Sequence, residues 1–300
     1  MSAYSRAFLL PCALLLVAAR APRPPSGELV LDAVSPVITV EIAGVPLQLR
    51  VDLDQQDSIE LNPAAAARLP VKWEDGLVID VGRVRLSSHI APVLLHVADR
   101  IVPTQVAEHG RDCCQGADGA IGPDLLPYAT IRWRRDAVPS PNGSLFLSLD
   151  DSPTTGLSAA SETTDVRLRF SLAQADTIGT AAAGAALARL WDGHWSGPPR
   201  HVTVAFGVSR PARAMSFARP GLLAGFRIDQ LPIRLSDFAG DTKLPAEPVR
   251  AEDVVVSHGL ERQHAWPAVT IAGDRLSRCA ELIYNAVPRS LTLHCAFDRP

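Results

Sequence analysis

Two short segments, far apart in the chain, constrain its fold most. The first, residues 51–56 (VDLDQQ), directly follows an alternating apolar pattern from Val37 to Val51 that predicts β-strands. The second, residues 118–126 (DGAIGPDLL), combines small residues and glycine with a buried-type Ala-Ile pair. Between them, residues 62–69 (NPAAAARL) predict a short helix with proline at its start. With 25 prolines, 20 glycines and many short Val/Ile/Leu stretches, the chain is typical of a β-rich protein with frequent turns.

The composition describes an ordinary globular protein. Its 300 residues with 47% hydrophobic content can bury one large core or two smaller ones. The net charge is −3, the pI is near 6.2, and no run of Lys or Arg occurs. Such a chain offers no basic field to phosphates or anionic lipids, so we predict that it does not bind nucleic acid.

The N-terminus predicts export. Arg6 is followed by an apolar stretch from Ala7 to Ala19 and by the small-x-small site Ala19-Arg20-Ala21, so residues 1–21 resemble a cleaved signal peptide. The mature protein is expected in the periplasm or outside the cell, without stable membrane insertion. Pro22 leaves an uncleaved anchor open as an alternative, and Cys12 leaves open a lipoprotein.

Four cysteines remain after processing, in a compartment that permits disulfides. Cys279 and Cys295 flank two β-like runs, and pairing of those runs as a hairpin places the two sulfurs opposite each other. We therefore predict a Cys279–Cys295 disulfide. Cys113 and Cys114 are adjacent and can form a vicinal ring, bond to other partners or stay reduced. With His109 and Asp112 they make a compact group, but exported thiols usually oxidise, so no metal or other cofactor is predicted.

The two halves of the chain repeat one pattern. A polar stretch, residues 151–164, separates residues 36–150 from residues 165–297 and predicts a linker. Near the end of each half, IGPDLL at 121–126 matches IAGDRL at 271–276, and a β-like run follows in both. Ala-Arg-Leu also ends a predicted helix in both halves. This agreement in order and spacing predicts an internal duplication.

These segments resemble the retropepsin-like aspartic proteases. In that family a strand delivers an Asp-Thr-Gly turn, a short helix follows, and a later apolar-Gly segment threads past the turn, commonly continuing as Gly-x-Asp-x-Leu in bacterial members. The resemblance gives Asp52 the catalytic place, makes Ile121 and Gly122 the threading segment, and makes Asp124 a helix-capping acid. It implies a mainly β fold with two lobes, each a small barrel-like sheet with short helices, and a cleft between them.

The catalytic motif is incomplete. Aspartic proteases use two carboxyl groups that share a proton and activate water. Here Leu53 and Asp54 stand where the family has Thr and Gly, and an ungapped match from the helix ends places Ala173 opposite Asp52. A competing match uses Asp176, in the sequence DTIGT, as the second acid. Asp52 can also be an ordinary capping acid at a strand end.

Three functional hypotheses follow. The first is an exported pseudoprotease, a monomer whose cleft binds an extended peptide or a protein partner. The second is an active, atypical aspartic endopeptidase that uses Asp52 and Asp176. The third is a non-catalytic structural or interaction protein of the cell envelope.

Overall fold

The computed structural model describes residues 24–55, 57–81, 84–136, 140–150, 157–161, 163–235 and 267–298. The predicted signal peptide, Cys12, and residues 151–156 and 162 of the predicted linker lie outside these ranges. No helix within them is both long enough and apolar enough to cross a bilayer.

The N-terminal half is built mostly from short strands whose apolar side chains alternate between core and solvent. Its first helix starts at Pro63, directly after Asn62, as the sequence predicted, although it ends already at Ala66. A 3-10 turn covers Pro123–Leu125. In chain order the elements are β1 Glu28–Asp32, β2 Val37–Ile42, β3 Val45–Val51, β4 Ile59–Leu61, α1 Pro63–Ala66, β5 Glu74–Val81, β6 Val84–Val97, β7 Arg100–Glu108, β8 Gly119–Ile121, β9 Thr130–Arg134 and β10 Gly143–Ser148.

Seven of these strands form the sheet of the first lobe, in the order β2-β3-β8-β4-β7-β6-β5. β2 also pairs with β6, so β2, β3, β8, β4, β7 and β6 close into a barrel. At its centre β8 lies between β3, to which it is parallel, and β4, to which it is antiparallel. This threaded strand fixes the end of β3, where Asp52 follows.

Among its described residues the C-terminal half contains two further helices, of which the first is long enough to pack on the sheet. The elements are β11 Ser158–Ala160, β12 Arg167–Phe170, β13 Ile178–Gly179, α2 Ala181–Trp191, β14 Gly193–Thr203, β15 Ser209–Leu223, β16 Phe226–Arg234, β17 Ala268–Ile271, α3 Gly273–Leu276, β18 Cys279–Ala286 and β19 Arg289–Cys295. β11 lies within the predicted linker. It is ordered there because Leu157 and Ala159 are buried and β11 pairs with β12.

The second lobe repeats the connectivity of the first. β17 lies between β12, to which it is parallel, and β13, to which it is antiparallel, and β16, β15, β14 and the edge strand β11 complete the seven-stranded sheet. The order β12-β17-β13-β16-β15-β14 therefore matches β3-β8-β4-β7-β6-β5 strand by strand. The predicted mainly β fold with two duplicated lobes is confirmed. The exact lobe boundaries stay a prediction.

A five-stranded sheet joins the lobes, in the order β1-β9-β18-β19-β10. β9 from the first half and β18 from the second pair antiparallel at its centre, and β10 pairs with β19. The Cys279–Cys295 disulfide closes the β18–β19 hairpin in this sheet. Trp133 of β9 is fully buried, and its Nε1 donates to the Val51 carbonyl oxygen at 3.3 Å. The shared sheet thus supports the residue directly before Asp52.

Candidate functional site

The site lies where the corresponding strands β3 and β12 end. Val51 is paired with Ile121, and Phe170 is paired with Ile271 in the same parallel arrangement. In each lobe the backbone N–H of the residue after the strand donates to the carbonyl oxygen of that paired isoleucine. Asp52 donates to Ile121 at 3.1 Å, and Ser171 donates to Ile271 at 3.0 Å. Ser171 is therefore the structural counterpart of Asp52.

This register corrects the sequence-based candidates for the second acid. Ala173 lies two residues beyond Ser171, and its N–H donates to Ser171 Oγ at 3.2 Å. A sequence match that starts from the helix ends places Ala173 opposite Asp52. α2 has eleven residues and α1 only four, so those ends do not correspond.

Asp176 does not join Asp52. Its carboxylate is about half exposed and pairs with Arg200, with 2.9 Å between Oδ2 and Nη2. The neighbouring Thr177 gives the DTIGT segment a structural role instead. Thr177 is buried, its backbone N–H donates to Asp274 Oδ1 at 2.9 Å, and its hydroxyl does so at 2.5 Å. Thr177 thus binds the start of α3 through Asp274.

A sequence signal for Ser171 exists but is short. Residues 49–54 read LRVDLD, and residues 168–173 read LRFSLA. The repeated Leu-Arg and the Leu after the turn residue align Asp52 with Ser171 and Asp54 with Ala173. This match gives no second acid, because the residue that it aligns with Asp52 is a serine.

Asp52 is held by the opposite lobe. Ser171 Oγ donates to its Oδ2 at 2.9 Å, and the Leu172 N–H donates to its Oδ1 at 3.0 Å. The carboxyl group is only 5% exposed, and burial raises its pKa although both hydrogen bonds act in the other direction. The arrangement is a contact between the two turns, made by one acid and two donors.

Asp54 makes a second contact between the lobes. Its Oδ1 lies 2.5 Å from Arg169 Nη2, and its side chain is 16% exposed. Burial raises the pKa of Asp54 to about 6, the Arg169 charge opposes this, and the charge of Asp52 adds to it. The Asp54 carboxylate is thus paired with an arginine on β12 of the other lobe.

The predicted supporting residues lie beside the Asp52 turn. Ile121 is fully buried, and Gly122 passes so close to the turn that a Cβ there would overlap the Gln55 carbonyl oxygen. Asp124 lies in the first turn of the following 3-10 segment, and burial raises its pKa. The structure therefore brings Asp52, Ile121, Gly122 and Asp124 together.

The hairpins β5–β6 and β14–β15, one from each lobe, also meet. Leu86 and Val208 are buried against each other, with Val84, Val204 and Phe206 packed around them. The lobes therefore touch at the hairpin tips as well as at the turns.

The two cysteines whose state the sequence left open are bonded to each other. Cys113 and Cys114 form a vicinal disulfide. Within the described ranges, no group of three or more His, Cys, Asp or Glu side chains is arranged to hold a metal ion.

Comparisons with known proteins give little beyond this geometry. No family model matches the chain, and no curated protein matches it. Among solved structures, EIAV protease complexed with the inhibitor HBY-793 is similar over 31% of this chain and 85% of that chain, with 21% identity and a TM-score of 0.26. The fold is defined by the strand order and by the threaded strands of the two lobes. The chain is a mainly β protein of two duplicated lobes, the first of which closes into a six-stranded barrel.

Proposed function

We propose that this protein is an exported pseudoprotease, a catalytically inactive relative of the retropepsin-like proteins. The observation that carries the proposal is the 2.9 Å hydrogen bond from Ser171 Oγ to Asp52 Oδ2. A dyad works because two carboxyl groups share one proton, so that one acts as acid while the other acts as base. A serine hydroxyl at the second position donates a hydrogen bond but does not ionise in the same range.

The surroundings of Asp52 support the same conclusion. Its two oxygens already accept from Ser171 and Leu172 of the other lobe. Leu53 is fully buried, and Asp54 is paired with Arg169. The site is therefore arranged to hold two turns together, and Asp52 acts as a structural acid.

A partner remains part of the proposal. An extended peptide or a protein segment can bind between two β lobes through backbone hydrogen bonds, which need no catalytic acid. The two disulfides favour an oxidising compartment, in agreement with the predicted signal peptide and a periplasmic or secreted location.

Cleavage of a peptide library between about pH 3 and 7 tests the proposal. We expect no cleavage by the wild-type protein, with a working aspartic protease as positive control. Asp52→Asn and Asp176→Asn are the matched variants. Wild-type cleavage that is lost in Asp52→Asn, while the variant stays folded, would overturn the proposal, and a parallel loss in Asp176→Asn would assign the second acid.

A further inference from the structure

The vicinal disulfide lies in the loop between β7 and β8, and one side chain fixes that loop. Asn62, at the start of α1, accepts from the backbone N–H groups of Cys113 and Cys114 at 2.9 and 3.2 Å. Its amide nitrogen donates to the carbonyl oxygens of Cys114 and Ala117, both at 2.9 Å. The disulfide and Asn62 together hold the loop in one conformation.

The same loop contacts the tip of the β14–β15 hairpin from the other lobe. The rings of His109 and Phe206 lie 4.4 Å apart between centroids. Gly207 approaches the loop so closely that a Cβ there would lie 2.9 Å from the Asp112 carbonyl oxygen. Phe206 has a φ of 56°, a conformation that a bulky residue adopts only when its surroundings hold it there. The hairpin tip thus packs on residues 109–112, directly before the disulfide, and we call this segment the seat of the tip.

Glu60 connects the disulfide to this seat. Its Oε1 lies 2.7 Å from Nδ1 of the buried His109, and its carbonyl oxygen lies 3.7 Å from Cys113 Sγ. The disulfide, Glu60, His109 and Phe206 form one continuous set of contacts that runs from the first lobe to the second.

We propose that Cys113–Cys114 is a reducible lock that holds the β14–β15 hairpin tip on the first lobe. The reductant is a dithiol. Its thiolate attacks Cys113, the half-buried sulfur, and Cys114 leaves as a thiolate that takes up a proton. The second thiol then displaces Cys113, so that two protein thiols and one oxidised dithiol result.

Reduction opens the ring that fixes the backbone at residues 113 and 114, which the Asn62 side chain alone then holds, and thereby loosens the seat of Phe206 and Gly207. We expect the turns that contain Asp52 and Ser171 to be unaffected, because the hydrogen bonds between these turns come from Ser171 and Leu172, which lie outside this loop. Cys279 and Cys295 are fully buried and provide an internal control that mild reductant does not reach.

Hydrogen exchange of the full-length protein, before and after mild dithiothreitol treatment, tests the lock. Alkylation mapping first verifies that Cys113 and Cys114 are reduced while Cys279–Cys295 is intact. We expect exchange of the tip amides at 203–209 to rise about tenfold, with no change around Asp52 and Ser171. Unchanged tip exchange after verified reduction would overturn the proposal, as would two free thiols at 113 and 114 in the untreated exported protein.

Two variants separate the disulfide from the contact that it supports. Cys113→Ser/Cys114→Ser should exchange like the reduced wild type and show no response to the reductant. Phe206→Ala should free the tip while the disulfide stays formed. If the double variant does not fold, reduction of the wild type still decides the question, and none of these measurements depends on peptide cleavage.

Discussion

At the scale of the residue, the hydroxyl of Ser171, the structural counterpart of Asp52, determines what the Asp52 carboxyl group contacts. In a working dyad the second carboxyl raises the proton affinity of the first through like-charge repulsion. Ser171 carries no charge, so it neither repels nor neutralises the charge of the Asp52 carboxylate. Its hydroxyl donates a hydrogen bond to a buried oxygen of Asp52. Removal of this hydroxyl should therefore lower the stability of the protein.

Ser171→Ala tests this role. The change leaves a buried carboxylate with one donor fewer, and we expect the free energy of unfolding to fall by about 2 kcal/mol. Urea denaturation measures the effect. Ser148→Ala, at an exposed position on β10, is the matched control and should change stability little. Equal stabilities of the two variants would show that the hydrogen bond to Asp52 contributes nothing.

Asp54 predicts a pH dependence whose sign is unusual for an acid in an ion pair. Its pKa is raised from 3.8 to about 6, so the folded state binds a proton more tightly than the unfolded state does. The free energy of unfolding should therefore rise as pH falls from about 7 to about 4, by an amount on the order of 2–3 kcal/mol. Burial raises the pKa values of Asp52, Glu60 and Asp124 as well, which adds to the trend in the same direction.

Denaturation curves at several pH values measure this dependence. Asp54→Asn should show a shallower rise than the wild type, because it has lost one titrating group. Asp176→Asn, at an exposed position, should follow the wild type. A wild-type protein that loses stability steadily from pH 7 to pH 4 would contradict the prediction.

At the scale of the element, the strands could be predicted from the sequence, and the position of the second turn could not. Alternation of apolar residues marks β2 and β3, and Asn62-Pro63 marks the start of α1. These signals are local, and the structure contains the elements that they predict. The place of Ser171 depends on which strand threads beside β12, a contact with residues about a hundred positions away. Helix length varied between the lobes while this threading stayed the same, so the helix ends misled the alignment.

The threading predicts a strict requirement at Gly122. In Gly122→Ala the added Cβ overlaps the Gln55 carbonyl oxygen, and we expect a loss of roughly 2–3 kcal/mol in the free energy of unfolding. Gly273→Ala, where the nearest atom would lie at 3.1 Å, is a glycine control in the other lobe, one residue after the counterpart of Gly122, and should cost clearly less. Similar losses in both variants would mean that the close approach to the Asp52 turn is not what requires glycine.

At the scale of the whole molecule, the five-stranded sheet makes the lobes one folding unit. Its central strands come from both halves, and its disulfide joins two neighbouring strands of the second half. The sequence predicted this pairing from a hairpin of two β-like runs. It could not predict that the same hairpin lies between β9 and β10, because β9 and β10 belong to the other half.

The Cys279–Cys295 disulfide should contribute measurably to global stability. It joins positions 16 residues apart, and on a chain-entropy estimate its removal costs about 3 kcal/mol. Thermal unfolding of Cys279→Ala/Cys295→Ala measures the loss. The Cys113→Ser/Cys114→Ser variant should unfold at nearly the wild-type temperature, since a bond between neighbouring residues closes almost no loop. The reverse order of the two unfolding temperatures would refute this account.

Because both turns belong to one polypeptide, each could change without the other. In a symmetric dimer of single lobes, any substitution in the turn appears twice. Here the counterpart of Asp54 is Ala173, and Arg169 pairs with the acid, whereas its counterpart Arg50 binds the Gln115 carbonyl oxygen of its own lobe. The two turns therefore make different contacts, and the clasp between the lobes is asymmetric although the strands around it are arranged alike.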